Sequence, residues 1–155
     1  MTAFVLQDPL IEAWFDGACE PRNPGGHATW GVTVRRGDQV IAEESGHVGY
    51  GPKMSNNVAE YAGLLRVLEI VSGMTGPVVI RGDSKLVVEQ MKGRWKIKDG
   101  LYRPYATVAK KALTHPQLVG RCSFERIPRD QNNRCDLLSK REFIKRGIEL
   151  RLQAD

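Results

Sequence analysis

From Leu10 to Asp16 the chain alternates. Ile11, Ala13 and Phe15 fall on one side, and Glu12, Trp14 and Asp16 on the other, which predicts a strand closed by Asp16. The Pro- and Gly-rich stretch from Cys19 to Gly26 reads as a loop. Trp30, Val32 and Val34 resume the alternation, Arg36-Gly37-Asp38 makes a turn, and Val40 to Val48 returns as a third strand. Three strands on short links predict an antiparallel meander. The period then lengthens. Ser55 or Asn56 can cap a helix whose apolar positions Val58, Ala62, Leu65 and Leu68 carry it to Gly73. Val78-Val79-Ile80 is a short apolar strand ending at Gly82-Asp83, and Leu86 to Met91 is a helix stopped by Gly93. A further helix runs from about Leu101 to Leu113 and breaks at His115-Pro116; Leu118 to Ile127 predicts a fifth strand closed by Pro128. The last helix begins near Asn132 and presents Leu137, Arg141, Ile144 and Ile148 along one side. The order βββαβααβα predicts an α/β fold, a five-stranded mixed sheet flanked by helices.

A length of 155 residues fits a single domain with a sizeable core. With no repeat, low-complexity tract or long linker, residues 1–9 read as an arm, 10–150 as the domain and 151–155 as a tail. At 41% hydrophobic and 26% charged residues the composition excludes wholesale disorder. Cys19, Cys122 and Cys135 are odd in number and form no CxxC pair, which argues against a disulfide frame or a zinc knuckle. No apolar run approaches the ~18–20 residues of a membrane span, and Met1 to Leu10 lacks the basic residues of a secretion signal. The expectation is a soluble cytoplasmic monomer with no membrane contact and no obligatory protein partner. Charge adds a direction. Residues 1–80 hold 5 Lys/Arg against 9 Asp/Glu, whereas residues 81–155 hold 18 against 9. A basic half on one domain is the electrostatic footprint of a polyanion, usually nucleic acid, with a well-solvated surface as the plain alternative.

Four carboxylates fall at predicted element boundaries: Asp16 closing the first strand, Glu60 early in the first helix, Asp83 after the fourth strand, and Asp136 in the first turn of the last helix. If strands one and four are neighbours, Asp16 and Asp83 meet at one end of the sheet, where open α/β sheets bind ligands. Oxygen ligands without His or Cys suit Mg²⁺ or Mn²⁺, and two such ions would serve phosphodiester cleavage. Taken singly, Glu60 and Asp136 could instead favour helix N-termini, and Asp16 and Asp83 could be turn residues.

Local sequence around these positions narrows the reading. FDGACEPRNPGG around Asp16, NNVAEYAGLL around Glu60, IRGDSKLVVEQMKG around Asp83 and RDQNNRCDLLSK around Asp136 together resemble ribonuclease H type 1 over about residues 10–148. The resemblance implies an RNase H-like fold and an endoribonuclease that hydrolyses the RNA strand of RNA–DNA hybrids, leaving 5′-phosphate and 3′-hydroxyl ends. It implies two Mg²⁺ ions (or Mn²⁺) held by Asp16, Glu60, Asp83 and Asp136. It also places Asn23, Asn56 and Asn57 in the hybrid's minor groove, where amides can meet 2′-hydroxyls. Ser55 matches a hydroxyl residue on DNA-strand phosphate. Trp95 and Lys96, flanked by Lys92, Arg94 and Lys98, match a DNA-side surface. Each has a plainer role open to it: turn former for Asn23, helix cap for Asn57, half-buried packing for Trp95.

Two departures from the family pattern stand out. Only KGRWKIKDG remains where many members carry a longer basic insertion. The loop Ile127-Pro128-Arg129-Asp130-Gln131 lacks the histidine that many members use, and none of His27, His47 and His115 occupies that motif position. Arg129 is the candidate substitute at the catalytic site, with a solvated charge as its plain alternative. Two other functions compete: an RNase H-like nuclease acting on DNA, of resolvase or integrase type, and a non-catalytic hybrid-binding module. The Asn-Asn pair before Glu60 favours the hybrid nuclease over the first, and four intact carboxylates disfavour the second.

Overall fold

The computed structural model describes residues 8–151, so most of the expected arm (1–7) and tail (152–155) lies outside the described residues. Its elements are β1 (Ile11–Glu20), β2 (His27–Arg36), β3 (Gln39–Tyr50), α1 (Asn56–Ser72), β4 (Val78–Gly82), α2 (Lys85–Met91), α3 (Arg103–Ala112), β5 (Cys122–Arg126), a single 3₁₀ turn at Arg129–Gln131, and α4 (Asn133–Lys145). The expected order of strands and helices holds. The sheet runs β3-β2-β1-β4-β5; β1, β2 and β3 form the antiparallel meander, and β4 pairs parallel with both β1 and β5.

Each face of the meander takes one helix layer. Ile11, Ala13 and Phe15 of β1 and Val32 and Val34 of β2 join Val58, Tyr61, Leu64 and Val67 of α1 in the main core. The intervening residues of β2 face α4: the Thr29 hydroxyl donates to the Ser139 carbonyl at 2.9 Å, and a Cβ on Gly31 would lie 2.3 Å from the Cys135 carbonyl oxygen. Glycine there lets α4 lie directly on the sheet.

Several local expectations are corrected. Asp16 does not close β1; the strand runs on to Glu20, because Gly17–Glu20 pair with His27–Trp30 of β2, and the loop shrinks to residues 21–26. In α1, Ala62 and Leu65 are only half-buried, while Tyr61 and Leu64 carry the core contact. The third helix is shorter than expected, and β5 begins only at Cys122, because residues 118–121 turn to bring Leu118 into the core. In α4 the expected apolar stripe points outward: Leu137 is 59% and Ile144 73% exposed, Arg141 is exposed, and Ile148 lies beyond the helix. Cys135, Leu138, Ser139, Glu142 and Phe143 are buried instead. The strand surface beneath, made of Thr29, Gly31 and Thr33, accepts small and polar side chains as readily as large apolar ones.

Candidate active site

Asp16 lies within the central strand, whereas Asp83 follows the last residue of the parallel neighbour β4. The β1/β4 register pairs Trp14 with Arg81, so two residues further on Asp16 and Asp83 come level. Glu60 arrives from the first turns of α1, and Gly17 decides how close it comes. A Cβ at Gly17 would sit 2.3 Å from the Glu60 backbone nitrogen, so no other residue there lets the helix approach β1. One carboxylate oxygen each of Asp16, Glu60 and Asp83 lies within 4.8 Å of the other two. Asp16 is 6% and Glu60 3% exposed.

Packing three acids this way is electrostatically unfavourable in the bare protein. Burial first, then the neighbouring Asp83, pushes Asp16 from 3.8 to about 7. Burial, followed by Asp16 and Asp83, holds Glu60 well above its ordinary range. Among the described residues no Lys or Arg forms an ion pair with Asp16, Glu60 or Asp83. Glu60 Oε2 is buried without a hydrogen-bond partner. An oxygen-only donor set, charge without a counterion and an orphaned carboxylate oxygen together fit a hard divalent cation.

Asp136, the fourth expected carboxylate, stands apart from this triad. It is close enough to raise Asp16, yet its own oxygen pairs with Lys140 at 3.0 Å, one helical turn further along α4. Asn132 does reach the triad. Its side-chain NH₂ donates to the Phe15 carbonyl at 2.8 Å and to Asp83 Oδ2 at 3.2 Å, tying the start of α4 to β1 and to the acid after β4. It is 2% exposed, and the sequence presents it only as a helix start. Its position within NNRCD, four residues before Asp136, was the available signal.

Residues 14–142 match the reverse transcriptase-like family. A ribonuclease HI from Halobacterium salinarum is 33% identical over 142 residues, which cover 90% of this chain and 68% of that protein. The chain belongs to the type 1 ribonuclease H family. A bifunctional protein of Mycobacterium tuberculosis is 40% identical over 122 residues; these are 76% of this chain but only 31% of that relative's length. Among solved structures, LC11-RNase H1, isolated from compost and crystallised with an RNA/DNA hybrid, superposes with a TM-score of 0.77 at 28% identity, covering 88% of this chain and 98% of that one.

The remaining positions expected of a type 1 ribonuclease H fall into four groups. Asn23 and Asn56 come together, the Asn56 backbone N–H donating to Asn23 Oδ1 at 2.9 Å, with Asn57 adjoining on α1. Ser55 is the N-cap of α1: its hydroxyl accepts from the Val58 N–H at 3.2 Å. Trp95 is 44% exposed, with the Lys85 ammonium 5.6 Å from its ring centre, and with Lys96, Arg94, Gln90 and Tyr102 it lines a 470 Å³ groove. Behind that groove lies a polar network that the sequence did not reveal. Tyr61 donates to Gln90 Oε1 at 2.6 Å, and Gln90 Nε2 donates to the Tyr102 hydroxyl and the Lys96 carbonyl, both at 3.1 Å. Arg129 is exposed on the 3₁₀ turn and lines a 340 Å³ concavity together with Asp136 and Lys140.

Proposed function

We propose that this ribonuclease H cuts the RNA strand of RNA–DNA hybrids, using Asp16, Glu60, Asp83 and Asp136 to hold two Mg²⁺ ions, with Mn²⁺ as a substitute. The observation that carries the reading is the triad: oxygen ligands from β1, α1 and the residue after β4, Asp16 and Glu60 buried and Asp83 half-buried, brought together without a counterion. When bound, such ions lower the pKa of a water and stabilise charge on the phosphate and leaving oxygens. The chain's own residues do the rest. Asn132 keeps Asp83 oriented. Arg129 binds a phosphate oxygen beside Asp136 through its guanidinium fork. Since Asn23 Oδ1 is already engaged, its NH₂ group and the side-chain amides of Asn56 and Asn57 are the donors offered to the RNA strand. Ser55, Trp95 and Lys96 receive the DNA strand, the ring against sugar and the cations on phosphates.

Residues 10–150 form the catalytic domain, and Arg151 is still anchored to it through Glu20 and the Cys19 carbonyl. Three unpaired thiols suit a reducing, cytoplasmic setting, and no helix among the described residues is long and apolar enough to cross a membrane. On this reading the protein acts as a monomer. The test is incubation with labelled RNA–DNA hybrid, duplex RNA and duplex DNA, with and without Mg²⁺. Mg²⁺-dependent cleavage of hybrid RNA alone is expected. Cutting of duplex DNA would indicate the resolvase type of nuclease, and hybrid binding without cleavage a binding module.

A further inference from the structure

His27 and His47 meet across the β2–β3 pair, with His27 Nδ1 2.9 Å from His47 Nε2. The strand register explains the meeting. His27 lies opposite Tyr50 and Ala28 opposite Gly49, but Thr29 lies opposite His47, so Val48 is an extra residue at the register shift. One inserted residue moves the side chains beyond it to the other face of a strand. His47 therefore shares the face of His27 and Thr29, which is the α4 side. Both rings are half-buried, and Tyr50 packs on His27 with ring centres 4.4 Å apart, which restricts the imidazole. Near the end of α4, Arg146 disfavours positive charge at His47 and Glu142, more weakly, favours it, so an ion there is held by the ring nitrogens and not by the charge of that helix end. Neither histidine belongs to the carboxylate site.

We propose that His27 and His47 form a second metal site, a two-imidazole site for a borderline transition ion such as Zn²⁺, Ni²⁺ or Cu²⁺. Imidazole nitrogen favours these ions over Mg²⁺, whereas an oxygen-only triad is the kind of donor set that Mg²⁺ accepts. Metal–nitrogen bonds of about 2.0–2.1 Å meeting between a right angle and the tetrahedral angle span roughly 2.9–3.4 Å between nitrogens. The 2.9 Å separation already present lies at the edge of that range. On binding, the ring that now donates moves its proton to its other nitrogen through solvent. The rings then turn so that both lone pairs converge on an ion lying off the line between the nitrogens, no proton is lost overall, and water completes the coordination. His27 opens β2 directly after the 21–26 loop that carries Asn23, so an ion between the rings ties the exit of that loop to β3.

The test uses the full chain with excess Mg²⁺ keeping the carboxylates occupied. Ni²⁺ binding is followed by calorimetry and Cu²⁺ binding by electron paramagnetic resonance. One ion per chain is expected, with hyperfine structure from two imidazole nitrogens. His27→Asn and His47→Asn should each weaken binding by at least about tenfold, the loss that removing even an outer-shell partner can produce. His115→Asn, whose ring accepts from the Gln117 N–H, should bind like the parent. Ni²⁺ should raise the thermal midpoint of the parent and not of His47→Asn. Circular dichroism and Mg²⁺-dependent hybrid cleavage separate loss of the site from loss of the fold, with His47→Gln as the replacement should the asparagine variant misfold. Parent-like affinity in both variants, or a spectrum with fewer than two imidazoles, overturns the proposal.

Discussion

Replacing Asp16 by asparagine probes the cation site through stability as well as activity. In the metal-free protein Asp16 titrates near 7 instead of 3.8, held there by burial and by Asp83. At 1.36 kcal/mol per pH unit, keeping it ionised in the fold costs about 4 kcal/mol at pH 8. A carboxyl whose folded-state pKa is raised binds more protons folded than unfolded. Its contribution is therefore fully present below about pH 4 and is lost as pH rises toward 7. Asparagine removes the charge but leaves a buried amide, so the expected net gain in EDTA at pH 8 is about 2–3 kcal/mol, or roughly 5–10 °C in Tm. The gain of variant over parent should open by about 3 kcal/mol between pH 4.5 and pH 8. Urea unfolding across that range measures it. Adding Mg²⁺ should narrow the gap by stabilising the parent through mass action, while hybrid cleavage by Asp16→Asn stays absent. A gap that does not change with pH, or Mg²⁺-dependent cleavage by the variant, would refute the reasoning.

Three further outcomes are expected. Asn56→Ala should lower kcat/KM on hybrid by about five- to tenfold, the worth of one hydrogen bond of roughly 1 kcal/mol, with unchanged unfolding midpoints; parent-like rates at subsaturating hybrid would reduce Asn56 to a structural role. Arg129→Ala should slow cleavage and Arg129→Lys restore part of it, since a phosphate contact needs charge first and the guanidinium fork second; equal rates in all three proteins would remove Arg129 from the site. Gln90→Ala leaves the buried Tyr61 hydroxyl without its partner, while the Tyr102 hydroxyl keeps the Lys98 N–H, and should destabilise the fold by about 1–3 kcal/mol. It should also raise KM for hybrid more than it lowers kcat, because Lys96 loses its backbone anchor, and a pure kcat effect would contradict that placement.

What the sequence determined by itself was whatever depends on neighbours in the chain. Alternation over Ile11–Phe15, the Ser55 cap and the Gly82-Asp83 strand end are local signals, and each appears in the fold. The four carboxylate motifs were legible for the same reason: each is a contiguous string. Tertiary structure decided what depends on a partner distant in sequence. β1 continues beyond Asp16 because β2 offers hydrogen bonds there, so Asp16 lies within a strand and not at its end. The buried side of α4 follows from Thr29 and Gly31 more than a hundred positions earlier, which is why its own leucine and isoleucine spacing misleads. Asp136 turns to Lys140, while Asn132, a helix start by sequence, reaches across to Asp83. His27 and His47 meet only because the register shifts by one residue at Val48. Periodicity along the chain reports which side of an element is apolar; the surface packed against that element determines which side is buried and which polar atoms find one another.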